Sequence, residues 1–549
     1  MDLCNPARMS LSAHPAPSPD SAKNVASRFQ DPAFLKSWGY DAMVVPGQFP
    51  GVPTYDSVIP GLLPEGSPER TWAIQRAAEI DAAIKATKAA GVLAMAMSDL
   101  MVFPQALVDH FHDQICDDQN RIDIRFPKTQ ELLQAQMREL FSRFPLLDGI
   151  IFRTGEVYLQ SYPYHTASGV KDGAVMHGNT AITHADQSHI ALVKTLRAVI
   201  CEELGKRMVY RTWDFGFLHT HPDYYLKVTQ AVEPHPQLFF SIKHQAGDFH
   251  QLTPFNPTLG IGDHAQIVEV QCQREAYGKG AHPYYIGQGV LDGWEEYAWL
   301  MKPGEIKGLR DLRRTKVFKG VWTWSRGGGW EGPFIPNEFW CALNAFILSR
   351  FAEQPAQDEP KIFNEYMDSI GLRGKDRGRF RELCLLSEKA VLRGQLTCLG
   401  AYVYEWWARD HYLSAPDLGD FIKKGLVSQA IAEKGEAVSM WKRIEELGHE
   451  IHFNDQTTES YVRISCTYGR IKYAIIAEGW TILLNGRLHD QGMPADLNQL
   501  REAIKQYDAL WLEWRALEAS SPLCPSLYRD LAFGDGPGMG AAVNRYRSV

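Results

Sequence analysis

The sequence predicts an α/β fold, a TIM-type (β/α)8 barrel followed by an all-α C-terminal domain, on three observations. From about Asp31 to Arg350, short β-rich runs alternate with helical patterns, as parallel strands joined by crossover helices do. The first run leads into Val45-Pro46-Gly47-Gln48-Phe49-Pro50, which lacks the G-x-G-x-x-G turn of an open dinucleotide-binding sheet. Polar and reactive residues collect where runs end, at Asp99, Glu156, Arg211 with Asp214, Lys243 with Asp248, Glu275 and Arg326; in a barrel those ends converge on one rim.

In chain order the predicted strands are Asp41 to Val45, Val92 to Met97, Gly149 to Arg153, Met208 to Trp213, Leu238 to Lys243, Ile267 to Gln273 and Gly320 to Ser325, one short of a closed barrel. The clearest helices between them are Thr71 to Ala90, with apolar residues at Ile74, Ala77, Ala78, Ile80 and Ile84, and Asp186 to Leu204. Beyond Arg350 the strand signal fades into long helical patterns at Arg377 to Asp410, Val427 to Leu447, Tyr461 to Leu484 and Leu497 to Leu517. The chain therefore divides into a flexible N-terminal segment (1–30), a catalytic barrel (31–355) and a helical domain (356–549). The Gly-rich stretch Gly534 to Gly540 reads as a loose tail, and no fixed-period repeat is visible. The aromatic pairs Trp406-Trp407 and Trp511 with Trp514 read as packing residues.

The run around Ile267 separates its side chains by parity. Glu269, Gln271, Gln273 and Glu275 fall on one face, and Val268, Val270 and Cys272 on the other. That suits a polar barrel lumen with the apolar face beneath helices, although an edge strand facing water alternates in the same way.

Composition narrows the function classes. At 549 residues and 45% hydrophobic content, the chain can bury a large core. Its 57 basic and 65 acidic residues give a formal charge of -8 without long runs of one sign, which is no footprint for nucleic acid. No apolar stretch approaches the roughly 18 residues needed to span a bilayer, and Met1 to Ala26 does not read as a secretory signal, so a cytoplasmic product is expected. The nine cysteines form no C-x-x-C pair and read as buried thiols.

Three segments carry acids suited to glycosidic-bond chemistry. Gly149-Ile-Ile-Phe-Arg153-Thr-Gly-Glu156 runs an apolar strand into a glutamate that can serve as general acid if burial raises its pKa, or simply pair with Arg153. Asp248, in Lys243-His-Gln-Ala-Gly-Asp248-Phe, and Glu275, in Gln273-Arg-Glu275-Ala-Tyr277-Gly, lie beyond adjacent strand ends. Together they could hold and deprotonate a water opposite the acid, an inverting arrangement. Trp213, Tyr277, Trp322, Trp324 and Trp330 lie near the same rim, where flat faces suit pyranose C–H surfaces or fill the core.

These segments resemble the family 67 glycoside hydrolases, the α-glucuronidases. Lys243-x4-Asp248-Phe249 is similar to the family segment in which a lysine precedes one catalytic carboxylate by five positions, and Gln273-Arg-Glu275-x-Tyr277-Gly to its Gln-Glu-Tyr-x-Gly. Trp324-Ser-Arg326-Gly-Gly-Gly-Trp330-x-Gly resembles the family's Asn-Trp-Thr-Gly turn, and Leu35-Lys-Ser-Trp-Gly-Tyr-Asp-Ala-Met-Val-Val its first helix and strand. The resemblance covers roughly 31–350. It implies Glu156 as general acid, Asp248 with Glu275 as the base pair, and Arg211 with Lys243 on the carboxylate of a terminal uronic acid, a task suited to charge-assisted hydrogen bonds. Arg153, Trp213, Tyr277, Trp324, Arg326 and Trp330 complete the expected substrate site. It further implies exo-acting, inverting hydrolysis of an acidic oligosaccharide without cofactor or metal, and a possible homodimer through the helical domain. Two features depart from the family: its acid lies in Asp-Ser-Glu-Gly rather than Arg153-Thr-Gly-Glu156, and its N-terminal β-domain has no counterpart before Asp31.

Other readings stay open. The substrate could be a neutral or galacturonic sugar, or the barrel a catalytically silent carbohydrate binder. A metal-dependent hydrolase would draw on His219-Thr-His221-Pro-Asp223 and His282, although zinc sites usually gather three or more such ligands.

Overall fold

A computed structural model describes residues 1–5, 25–154, 159–167, 182–213, 216–247, 249, 252–272, 280–325, 335–403, 412–532 and 536–549. Eight parallel strands close into a barrel: β1 (Asp2–Asn5), β2 (Ala42–Val45), β3 (Leu93–Asp99), β4 (Gly149–Arg153), β5 (Arg207–Arg211), β6 (Leu238–Lys243), β7 (Ala265–Gln271) and β8 (Phe318–Trp324). Each pairs with its neighbours in sequence, and β8 pairs with β1. All seven predicted runs are strands.

The eighth strand corrects the sequence reading, which places residues 1–30 in a flexible segment outside the barrel. Asp2–Asn5 is barrel strand β1, with Leu3 opposite Trp322 on one side and Ala42 on the other. Four residues hold only two pleat repeats, too few to display a period of two. Residues 25–30 are also tied down: Ser27 Oγ and the Arg28 backbone N–H donate to the Glu338 carboxylate at 2.8 and 2.9 Å.

The crossovers include α1 (Pro68–Ala89), α2 (Pro127–Arg143), α3 (Ile182–Leu196) and α4 (Pro222–Thr229), and α5 (Phe339–Glu353) follows β8. Helix α1 starts three residues ahead of the predicted Thr71 because Ser67 caps it, accepting from the Arg70 N–H at 3.2 Å, with Pro68 at the first helical position. The α3 pattern continues to Glu203 as a π-helix, Arg197–Glu203.

Parity sorts the strand side chains into two cores. Leu3, Ala42, Val44, Met95, Ile151, Val209, Ile267, Trp322 and Trp324 fill the lumen. Their alternates, among them Met43, Ala94, Ile150, Tyr210, Phe240, Val268, Val270 and Val321, pack beneath the helices. The alternation around Ile267 is thus that of a barrel strand rather than a wet edge.

The C-terminal region is helical: α6 (Glu359–Ser369), α7 (Gly374–Gln395), α8 (Val427–Glu450), α9 (Gln456–Asp490) and α10 (Leu497–Ser520). The pattern predicted to run to Asp410 stops at Gln395, where Lys434 Nζ of α8 donates to the carbonyls of Arg393 and Leu396, and Gly400 adopts φ 67°. Part of that stretch, 404–410, lies outside the described residues and includes Trp406 and Trp407. Trp511 and Trp514 are buried against each other, as packing residues are. The tail read as loose is docked over its described part: the Met539 N–H donates to the Leu413 carbonyl at 2.6 Å, and Met539 is fully buried. Among the described residues, no helix is long and apolar enough to cross a membrane.

Candidate active site

The mouth at the C-terminal ends of the strands gathers the predicted polar residues that lie within the described chain. Asp99 ends β3 and Arg153 ends β4; Arg153 Nε donates to Asp99 Oδ1 at 2.5 Å, with both side chains largely withdrawn from solvent. Next to them, Thr154 Oγ1 bonds to the carbonyls of Arg211 and Trp213 at 3.0 and 3.1 Å, locking the end of β4 to that of β5.

Arg211, at the end of β5, grips Glu269 of β7 through two parallel hydrogen bonds, Nε to Oε1 at 2.7 Å and Nη2 to Oε2 at 2.8 Å. Its guanidinium also lies over the rings of Trp322 and Trp324, 5.2 and 5.4 Å from their centroids. Glu269 accepts further bonds from Ser241 Oγ at 2.7 Å and Trp324 Nε1 at 3.3 Å. This carboxylate is 0% exposed. Burial pushes its pKa up, but the Arg211 charge and hydrogen bonds, the Lys243 charge and the Ser241 bond outweigh burial and hold it below the usual carboxylate range. Glu269 is thus the hub of the lumen. The sequence places it on the polar face of β7 but does not single it out; its even spacing with Glu275 was the available signal.

Lys243, at the end of β6, is 2% exposed and caged by aromatic faces. Its ammonium sits 3.8 Å from the Trp213 ring centroid and 4.5 Å from that of Phe249. Phe249 turns back into the mouth with φ 57°, left-handed backbone that a bulky residue seldom adopts, and its ring meets Trp324 at 6.4 Å. Trp322 and Trp324 stack at 13° and 5.3 Å, with Trp322 fully buried as a filler of the lumen.

Of the predicted site, Arg153, Arg211, Trp213, Lys243 and Trp324 come together at this mouth. Glu156, Asp248, Glu275, Tyr277, Arg326 and Trp330 lie outside the described residues. Their described neighbours Thr154, Gly247 with Phe249, Cys272 and Ser325 follow β4, β6, β7 and β8. One buried amide ties the end of β7 to residues 284–286. Asn344 Nδ2 of α5 donates to the carbonyls of Cys272 and Tyr284 at 2.7 and 2.9 Å, and its Oδ1 accepts from the Ile286 N–H at 3.0 Å.

The imidazoles considered for a metal have structural surroundings. His219 Nδ1 meets Thr212 Oγ1 at 2.9 Å and its Nε2 meets Asn256 Nδ2 at 3.1 Å, whereas His282 packs edge-on against the stacked rings of Trp441 and Tyr473. Among the described residues, no group of three or more His, Cys, Asp or Glu could hold a metal ion.

No family model matches the sequence, and no curated protein matches it. Among solved structures the chain is similar to a family 138 glycoside hydrolase, an enzyme targeting pectin rhamnogalacturonan II, with a TM-score of 0.54, 11% identity and 96% of this chain covered. It spans 63% of that enzyme's length. A mutant O-GlcNAc hydrolase of Thermobaculum terrenum matches at TM-score 0.32 and 8% identity, covering 86% of this chain and 82% of the other. A family 20 exo-β-N-acetylglucosaminidase of Vibrio harveyi matches at 0.26 and 11%, covering 53% and 45%. At such identities the likeness to the family 138 enzyme establishes architecture: a closed (β/α)8 barrel carrying a helical C-terminal region.

Proposed function

We propose that this chain is a glycoside hydrolase that removes a terminal uronic acid from an oligosaccharide with inversion at the anomeric carbon. The observation that carries the reading is the caged ammonium of Lys243 at the mouth of a closed barrel, among strand ends that lead directly to three acids. The family 138 enzyme's target, a pectin, is a polysaccharide, which agrees with glycosidic-bond chemistry at this fold. In the proposed reaction Glu156 protonates the departing oxygen while Asp248 and Glu275 orient and deprotonate the attacking water. Lys243 and Arg211 provide positive charge for the sugar carboxylate.

The test is to incubate the protein with uronic-acid-capped oligosaccharides and follow the first-released anomer by NMR. Inversion is expected, with rate losses of about three orders of magnitude in Glu156→Gln, Asp248→Asn and Glu275→Gln. Retention would refute the two-base scheme, and absence of turnover on every acidic glycan would remove the uronate assignment.

A further inference from the structure

The mouth of the barrel contains a buried acceptor that no described residue satisfies. Among the described lumen-facing polar side chains there, Asp99 pairs with Arg153, and Arg211 and Ser241 with Glu269. Gln271 sits on the same face of β7, two residues closer to the rim than Glu269 and opposite Trp324 of β8. It is 2% exposed, and its Oε1 has no hydrogen-bond partner among the described residues. Trp322 Nε1 also lacks a partner there, but the register puts it one layer deeper, level with Glu269, under the Arg211 guanidinium.

A buried carbonyl oxygen without a donor costs about 1–3 kcal/mol, so such groups are kept where something outside the chain supplies the donor. The C-terminal ends of the strands are where substrates bind in barrels of this type. We propose that Gln271 is a specificity-determining residue whose side-chain oxygen accepts a hydrogen bond from one hydroxyl of the bound sugar. The proposal rests on the glycosidase reading above. A site built around such an acceptor rejects a sugar lacking that hydroxyl, because the amide oxygen then stays unpaired.

Calorimetric binding to the full chain tests this, with glucuronic acid, galacturonic acid, glucose, galactose and their monodeoxy analogues as probes. For the parent sugar that binds, one deoxy analogue should bind about 10- to 100-fold more weakly. In Gln271→Leu the parent should lose the same factor and the penalty at that position should vanish, while penalties at the other positions persist. Gln271→Glu, which retains an acceptor, should keep the discrimination. Gln271→Met, of similar length without an acceptor, repeats the test where leucine disturbs folding. Deoxy penalties in folded Gln271→Leu or Gln271→Met that match the wild type at every position would overturn the assignment while leaving the hydrolase reading intact. If the wild-type chain binds none of the four sugars yet turns over a uronic-acid-capped oligosaccharide, this assignment falls alone; if it neither binds nor turns over any of them, the uronate reading falls with it.

Discussion

Glu269 and Arg211 show how one buried pair sets the character of the lumen. Both groups are withdrawn from water, so the pair stands only because its two parallel bonds and the Ser241 donor offset the desolvation of two charges. Removing one partner should leave the other charge stranded: Glu269→Gln is expected to cost about 3–5 kcal/mol in denaturant unfolding. The double variant Arg211→Met with Glu269→Gln should recover part of that loss, and a loss in the double equal to the sum of the singles would show that the pair is not coupled. The pH dependence has a definite sign. A carboxylate held below its unfolded range near 4.3 stabilises the fold above that range and loses its contribution as pH falls through the lower folded value. Acid sensitivity below about pH 4 should therefore be weaker in Glu269→Gln than in the wild type. The sequence disclosed that Glu269 shares a face with Gln271, because parity is local. Its partner Arg211 lies 58 residues away and becomes visible only once strand order is known.

At the scale of elements, strands and helices with several repeats were legible, and short or interrupted ones were not. Seven strands of four or more apolar-rich residues announced themselves, whereas β1 relies on pairing with β2 and β8 for its identity. The end of α7 depends on Lys434, a side chain of another helix, so no reading of α7 alone could find it. The site depends on such cross-element contacts as well. Asn344→Ala should cost about 3 kcal/mol, since it strands the Cys272 and Tyr284 carbonyls together with the Ile286 N–H. It should also lower kcat by more than the folded fraction explains, because the amide ties the end of β7, which leads to Glu275, to residues 284–286; activity that tracks folded protein alone would deny that role. Between α9 and α10, burial and then the nearby Glu502 push Glu478 up to about 7. The folded chain therefore holds a proton there that the unfolded chain releases near pH 4.3, and stability falls as pH rises through that window. Glu478→Gln should raise Tm at pH 8 and leave it nearly unchanged at pH 4; an equal shift at both would dismiss the titration.

For the whole molecule, the sequence suggested a barrel and a helical domain meeting near residue 355, yet the two share one continuous core. Helix α5 is buried on nearly every side because it lies between them: Trp340 stacks on Phe380 of α7 at 16° and donates to Ser465 Oγ of α9 at 3.0 Å. Polar ties run in parallel. Tyr461 of α9 donates to the Gly280 carbonyl at 2.7 Å, and Glu359 of α6 accepts from both Tyr285 and Arg381. An interface that is apolar, wide and threaded by buried hydrogen bonds couples the stability of the two sides, since neither can lose the other without exposing α5. Calorimetry should accordingly give one unfolding transition for the wild-type chain. Trp340→Ala, expected to cost about 3–5 kcal/mol, should lower that single transition rather than melt one half ahead of the other. The same coupling predicts that a chain ending at residue 355 aggregates, because the outer face of α5 becomes a large exposed apolar patch. Two resolved transitions in the intact protein, or a well-folded monomeric 1–355 fragment, would mean that the barrel holds its mouth without help from the helices behind it.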